Sequence, residues 1–178
     1  MNTYIFTSER LGFRNWKESD LDVLYNLNSD PTVMQYFPAI QTKQQSLDFI
    51  NRMQAQFSEK EFCYFAVEIL ESNELIGFIG LSEQIYEADF NPSVDIGWRL
   101  LPSSWGKGYA TEGAKRCLTY AFEDLNLNEI VSVAPEINIP SITVMQKIGM
   151  IKEKSFAHPL LEDYPDLQKC VLYKIKGI

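Results

Sequence analysis

The stretch IGWRLLPSSWGKGYATEGAKR, residues 96–116, decides how this chain folds. Its start continues an aromatic and branched run over residues 93–101 that reads as a β-strand. Pro102, Ser103 and Ser104 break that run, and Gly106 and Gly108 flank Lys107. Beyond them Ala110, Ala114, Cys117, Leu118 and Ala121 recur at helical spacing. A strand, a glycine loop and a helix therefore follow one another. Glycine lets the backbone turn at positive φ and lets a ligand approach closely. The first N–H groups of a helix have no partner inside it, and with the helix dipole they form an anion site suited to phosphate. The dipole alone contributes about 0.3–1 kcal/mol per charge, so several N–H bonds to one pyrophosphate must supply the rest.

The spacing is not GxxxxGK[ST], and it lacks the full GxGxxG fingerprint, which disfavours a nucleotide P-loop and a dinucleotide site. A plain glycine turn before an ordinary helix fits the spacing equally well. Charge favours a ligand: residues 97–118 carry Arg99, Lys107, Lys115 and Arg116 against Glu112, a net +3. Residues 55–95 carry nine acids and only Lys60, a net −8. A cationic loop in an acidic chain suits an anionic cosubstrate and a cationic acceptor.

Working outward, the whole chain has 178 residues, enough for one domain with its own core, read as residues 1–178. No repeat, low-complexity segment or Pro/Gly/Ser-rich linker divides it. Sixteen Lys and Arg stand against 24 Asp and Glu, a net −8, which argues against nucleic acid and against a polybasic membrane binder. Cys63, Cys117 and Cys170 are widely spaced and His158 is the single histidine, so neither a disulfide framework nor a metal site is expected. Unpaired thiols, no signal-peptide pattern and no apolar run long enough for a bilayer predict a cytoplasmic protein.

Residues 10–16 alternate as a strand, and Ser19 is expected to cap a helix carrying Leu21, Leu24 and Leu27. Thr42 and Gln45 make a capping box for a second helix, with Leu47, Ile50, Met53 and Phe57 in one packing stripe and an end near Ser58. Residues 62–70 and 75–81 read as a hairpin, residues 82–92 as a polar loop, and residues 130–133 as a short buried strand. A helix over residues 140–148 stops at Gly149, and residues 150–156 and 168–175 complete the sheet. The order predicts an α/β or α+β domain with helices on a mixed sheet.

With these elements in place, residues 96–116 resemble the acetyl-CoA-binding segment of the GNAT superfamily of N-acetyltransferases. The branch most similar is that of the ribosomal-protein N-terminal acetyltransferases, the RimJ/RimL type. The family pattern Q/R-x-x-G-x-G/A falls on Trp105, Gly108 and Ala110, with Trp at the first position. EINIPSITVMQKIGMIKE resembles the family segment N-x-x-S…K-x-G-F through Asn138, Ser141, Lys147 and Gly149, with Met150 for the Phe. TSERLGFRNWKESDLDVLYNL and CVLYKI resemble the branch's opening and last strand.

The resemblance implies a mixed, mostly antiparallel sheet of six to seven strands flanked by about four helices, its fourth and fifth strands splayed. Pantetheine would enter that opening along residues 93–101, with backbone N–H groups near Trp98, Arg99 and Leu100 as oxyanion donors. Pyrophosphate would sit on Trp105, Gly106, Lys107, Gly108, Tyr109, Ala110 and Thr111. Asn138 would bond the pantetheine amide.

The implied reaction moves acetyl from acetyl-CoA to an amine, either a protein N-terminus or a small molecule, with no metal. Asp95 is the favoured base and Glu83 the second candidate. The family's usual acid, a Tyr, is replaced by Met145, which leaves Ser141 as its substitute or as a helix cap. His158 and Tyr173 are candidates for the acceptor side, and Trp16, Tyr36, Phe37 and Trp98 for walls of its pocket, with core packing the plainer reading. A homodimer is left open. Two readings compete: a non-catalytic acyl-CoA-binding module, and a nucleotide-binding regulatory domain that shares only the glycine loop.

Overall fold

The computed structural model describes residues 4–177. The single domain read over residues 1–178 thus includes four positions, 1–3 and 178, that lie outside the described residues. In chain order the elements are β1 (Phe6–Thr7), β2 (Leu11–Arg14), α1 (Leu21–Ser29), α2 (Lys43–Lys60), β3 (Tyr64–Ile69), β4 (Glu74–Gln84), β5 (Ser93–Leu100), α3 (Tyr109–Thr119), β6 (Glu129–Pro135), α4 (Ile139–Lys147), β7 (Ile151–Ala157), α5 (Pro165–Gln168) and β8 (Lys169–Lys176). The strands form one eight-stranded sheet in the order β1-β2-β3-β4-β5-β6-β8-β7. Every neighbouring pair is antiparallel except β5 with β6.

The sheet has one strand more than the upper expectation because β1 is two residues long, too short to show a period of 2. Strand β4 runs on through Ser82, Glu83 and Gln84, which read as loop from their polarity. Its register with β5 sets Ser82 opposite Asp95 and Gln84 opposite Ser93, so these polar residues lie on a paired strand. The fifth helix is the four-residue α5, which lies between the expected strands 150–156 and 168–175 and takes Gln168 from the start of the second.

Helix α2 starts as its sequence dictates: Thr42 Oγ1 accepts from Gln45 N at 3.2 Å, and Gln45 Oε1 accepts from Thr42 N at 2.8 Å. It runs two residues past Ser58 and closes on Glu61 in the left-handed region, φ 64°. Helix α1 departs from expectation. Ser19 lies inside a single 3-10 turn, Glu18–Asp20, and the carboxylate that takes an early N–H is Asp20, which accepts from Lys17 N at 2.8 Å. Asp20 is held there by Arg14, whose Nη1 and Nη2 donate to it at 2.7 and 2.9 Å, while Arg14 Nε donates to Glu68 at 2.6 Å. An arginine at 4% exposure thus has two carboxylates of its own.

Side-chain alternation divides the sheet into two faces. On one, Phe78, Ser82 and Gln84 of β4 stand beside Arg99, Asp95 and Ser93 of β5, covered by α1 and α2. On the other, Ile79 and Leu81 stand beside Trp98 and Ile96, on the side of α3. All three cysteines are buried and unpaired, and burial holds the Cys63 and Cys117 thiols neutral by raising their pKa. No helix among the described residues is long and apolar enough to cross a membrane.

Candidate active site

The glycine loop has the geometry its composition calls for. Gly106 and Gly108 adopt φ of +71° and +81°, in the left-handed region that side chains disfavour. A Cβ built on Gly106 meets no atom within 4 Å, so the loop is open on that side to a ligand. Gly108 is the N-cap of α3, and the N–H groups of Tyr109, Ala110 and Thr111 start that helix facing the loop. Arg10 braces the loop from β2's approach. Its guanidinium lies 4.5 Å from the Tyr109 ring centroid, donates to Lys107 O at 3.1 Å, and pairs with Glu112 at 2.7 Å. Burial works to raise the Glu112 pKa, yet hydrogen bonds from Ser8 and Arg10 prevail and keep its carboxyl below the ordinary range. The acid next to the candidate anion site is thereby neutralised. Lys107 is exposed and makes no ion pair among the described residues.

Strand β5 leads into this loop, and beside it the sheet opens. Eight-residue β5 and seven-residue β6 share one aligned pair, Asp95 with Val131. One residue on, Ser132 Oγ donates to Ile96 O at 3.0 Å, a side-chain bond in place of the next ladder rung. Beyond it the two strands part, which is the expected splay of the fourth and fifth expected strands. Leu101 N donates to Ile76 O at 2.8 Å, so by alternation the backbones of Arg99 and Gly97 also point toward β4. Those of Trp98 and Leu100 point into the slot. Trp105 Nε1 donates to Leu100 O at 2.8 Å and closes the slot's upper end, leaving the Trp98 peptide groups and the Leu100 N–H along its edge.

Asp95 sits at the root of this slot. Tyr64 Oη donates to its Oδ1 at 2.6 Å and Gln84 Nε2 to its Oδ2 at 3.1 Å. Burial raises its pKa to about 7, against the pull of those two bonds and of the Ser82 backbone. A carboxyl near 7 is divided between acid and base at neutral pH, the range a general base needs. Burial and the neighbouring Asp95 charge push Tyr64 well above its ordinary pKa, so it remains a phenol and a hydrogen-bond donor. A cleft of about 320 Å³ lined by Phe49, Met53, Tyr64, Ser82 and Gln84 reaches, from the α2 side, the Tyr64 and Gln84 side chains that hold Asp95. A wider, open depression of about 740 Å³ between β7 and β8 holds surface ion pairs of Lys174 and lies apart from Asp95. Tyr64 and Gln84 escaped the sequence reading because their partner is 31 and 11 residues away. The one available signal was that Gln84 and Asp95 bracket a turn between two strands.

The other candidates fall in several places. Glu83 alternates to the face opposite Asp95, is exposed, and lies 3.8 Å from Lys60. Asn138 is 8% exposed and caps α4, its Oδ1 accepting from Ser141 N at 3.2 Å. The Ser141 hydroxyl makes no hydrogen bond among the described residues. Met145 is buried at 1% exposure, so no hydroxyl replaces the missing Tyr at that position. Tyr173 lies beside Ser132 and reaches Gln146 of α4 at 3.4 Å, on the side away from Asp95. His158 joins Tyr86, its ring centroid 4.5 Å away, in a cluster with Phe90 and Phe156. In that cluster the residue 85–92 loop crosses to β7, anchored by Lys154 on Asp89. Trp16 is buried with Nε1 on Tyr64 O, Phe37 covers Arg99, Tyr36 is half-buried, and Trp98 packs on the α3 face.

A mostly antiparallel sheet opened between two parallel strands, with a glycine loop at the mouth and a carboxyl at the root, is a frame that could seat an extended acyl-CoA, the class of cosubstrate used by the family that the chain matches. The profile of the acetyltransferase (GNAT) domain matches residues 10–151, and the chain belongs to that family. The chain is 34% identical over 151 residues to the uncharacterized N-acetyltransferase YnaD of Bacillus subtilis, covering 84% of each protein. A GNAT-family acetyltransferase structure from Bacillus anthracis superposes with TM-score 0.80 at 28% identity over 96% of both chains. The spermidine N-acetyltransferase of Vibrio cholerae, solved with CoA and spermine, shares the fold at TM-score 0.75 and 22% identity, covering 94% of this chain and 96% of that one. The protein is an acetyl-CoA-dependent acyltransferase. Among the described residues no group of His, Cys, Asp and Glu could hold a metal ion.

Proposed function

We propose that this protein transfers acetyl from acetyl-CoA to a primary amine by direct attack within one ternary complex, with Asp95 as the base. The observation that carries the reading is a carboxyl with its pKa raised to about 7, held by Tyr64 and Gln84 at the root of the slot. Pyrophosphate rests on the N–H groups of residues 106–111, and pantetheine lies along the Trp98 and Leu100 edge. Asn138 and Ser141 flank it from α4. The amine nitrogen attacks the thioester carbon, and the Trp98 and Leu100 N–H groups take the charge that grows on oxygen. The C–S bond breaks, the nitrogen's proton passes to Asp95, directly or through one water, and the sulfur leaves as thiolate. A thiol with a pKa near about 8.5 is a tolerable leaving group at neutral pH, so the buried Met145 is no obstacle. The Ser141 hydroxyl donates a hydrogen bond to the departing sulfur.

The acceptor of the RimJ/RimL type, a protein N-terminal amine, and small amines are the two arms of the test. The three unpaired cysteines support a reducing, cytoplasmic setting. Thiol release from acetyl-CoA is measured across N-terminal peptides and small amines for the wild type, Asp95→Asn and Glu83→Gln. Asp95→Asn lowers kcat/KM by about 10²–10⁴, the scale of general-base catalysis, and Glu83→Gln leaves it within about twofold. CoA binding without turnover of any amine would replace this reading with the non-catalytic acyl-CoA-binding module.

A further inference from the structure

The described residues contain two deeply placed arginines on the α1 side of the sheet, and they are treated differently. Arg14 has Asp20 and Glu68. Arg99 has no carboxylate among the described residues, although burial is strong enough to lower even its guanidinium pKa to about 10. Its Nη1 donates to the neutral Asn28 Oδ1 at 2.7 Å. Its plane is flanked by Phe37 at 4.2 Å and Phe78 at 5.2 Å. Among the described residues its Nε, sealed from solvent, has no hydrogen-bond partner, and Nη2 makes none either. The Nε and Nη2 edge is the fork that grips a carboxylate or phosphate with two parallel hydrogen bonds. A half-buried guanidinium with its bidentate edge unused contrasts with Arg14, whose fork is met by two carboxylates.

Position gives the unused edge a purpose. Arg99 and Asp95 project from the same face of β5 with only Gly97 between them, and the Tyr64 ring lies over Gly97. Tyr64 in turn stacks on Phe78, the ring beneath the guanidinium. Arg99 is therefore next to the base and on the opposite side of the sheet from α3. By strand alternation its own peptide groups face β4, so neither its side chain nor its backbone is placed to serve the pyrophosphate loop.

We propose that Arg99 is an anion subsite for the acceptor: the amine that this site acetylates carries a carboxylate or phosphate within a few bonds of its nitrogen. The anion docks on the Nη2 donors, the part of the unused edge that is not sealed from solvent, while the amine faces the thioester beside Trp98, and a polyamine lacks the group this subsite binds. The proposal rests on the acetyltransferase reading above and narrows its acceptor.

The test compares acceptors that differ only in the anion: glycine with glycinamide, 3-aminopropanoate with its amide, and 2-aminoethyl phosphate with ethanolamine. Each is assayed with the wild type, Arg99→Gln, Arg99→Lys and Asn28→Asp. Taking the ratio of variant to wild type for each pair cancels the intrinsic basicity of the amines. The preference for the anionic member falls at least tenfold in Arg99→Gln, through KM, with CoA affinity unchanged, and Arg99→Lys retains part of it. Asn28→Asp supplies a carboxylate at the Nη1 contact, keeps the arginine, and lowers the preference as well, which covers the case in which Arg99→Gln fails to fold. Equal anionic-to-neutral ratios in the wild type and both neutralised forms overturn the proposal, as does a wild-type preference for polyamines. Calorimetric titration of the same compounds into the CoA complex separates the two readings. Anion-dependent binding without turnover sinks the transferase assignment alone, and turnover indifferent to the anion sinks the subsite alone. Neither binding nor turnover with any member sinks the subsite.

Discussion

At the scale of single residues, the proposed chemistry turns on how Asp95 is held. The Tyr64 hydrogen bond lowers its pKa and burial raises it, with burial prevailing. Tyr64→Phe removes an opposing effect, so the ascending limb of kcat/KM against pH moves above the wild-type midpoint near 7. A bond to a charged group is worth about 1.5–3 kcal/mol, which makes this shift about one to two pH units. The pH–rate profile of the two proteins checks it, and a shift toward lower pH would contradict the arrangement. The same carboxyl links stability to pH. Unfolded it titrates near about 3.9, and folded near 7, so the folded state holds the extra proton between these values. Its contribution favours folding most in acid and is lost as pH rises through about 4 to 7. Asp95→Asn abolishes that loss, and thermal melts at pH 5 and pH 8 show a smaller difference for the variant than for the wild type. Each kcal/mol corresponds to about 2–4 °C in a chain of this size.

At the scale of elements, the proposed function makes the glycine loop and α3 one anion-binding unit. Gly108→Ala forces a side chain into φ +81° and costs about 1–2 kcal/mol, felt where CoA binds. Its Kd for CoA rises roughly 5- to 30-fold by calorimetry while the far-UV spectrum stays unchanged. Its strand–loop–helix geometry was legible in the sequence because the signals are local: two glycines, a preceding strand and a helical stripe within 21 residues. The α2 capping box was legible for the same reason. The α1 start was not, because Asp20 is fixed by Arg14 across a turn, and Ser19 is the more familiar cap. The polar end of β4 was not, because Ser82 and Gln84 gain their strand character from pairing with β5. The Arg99 environment was also hidden: its contacts come from α1, from Phe37 and from β4, far apart in sequence.

At the scale of the whole molecule, the sheet consists of two blocks, β1–β5 and β6–β8, whose ladders meet at one aligned pair. The Ser132 bond to Ile96 O fastens the joint just beyond it. Ser132→Ala loosens this joint, and amide hydrogen exchange at residues 96–100 and 131–135 rises in the free protein. Added CoA restores protection in the variant more than in the wild type, because the slot edges then have hydrogen-bond partners again. Equal exchange in both proteins would show that the serine has no such role.

That seam also gives the cosubstrate a mechanical part. In the proposed complex a thread of pantetheine between β5 and β6 would stand where a missing strand would stand, and would stitch the amino-terminal and carboxy-terminal portions of the molecule together. Melting of the free protein is then expected to begin at the joint, with the bound form unzipping as a single body, so that cellular levels of CoA would help govern how long the chain survives proteolysis.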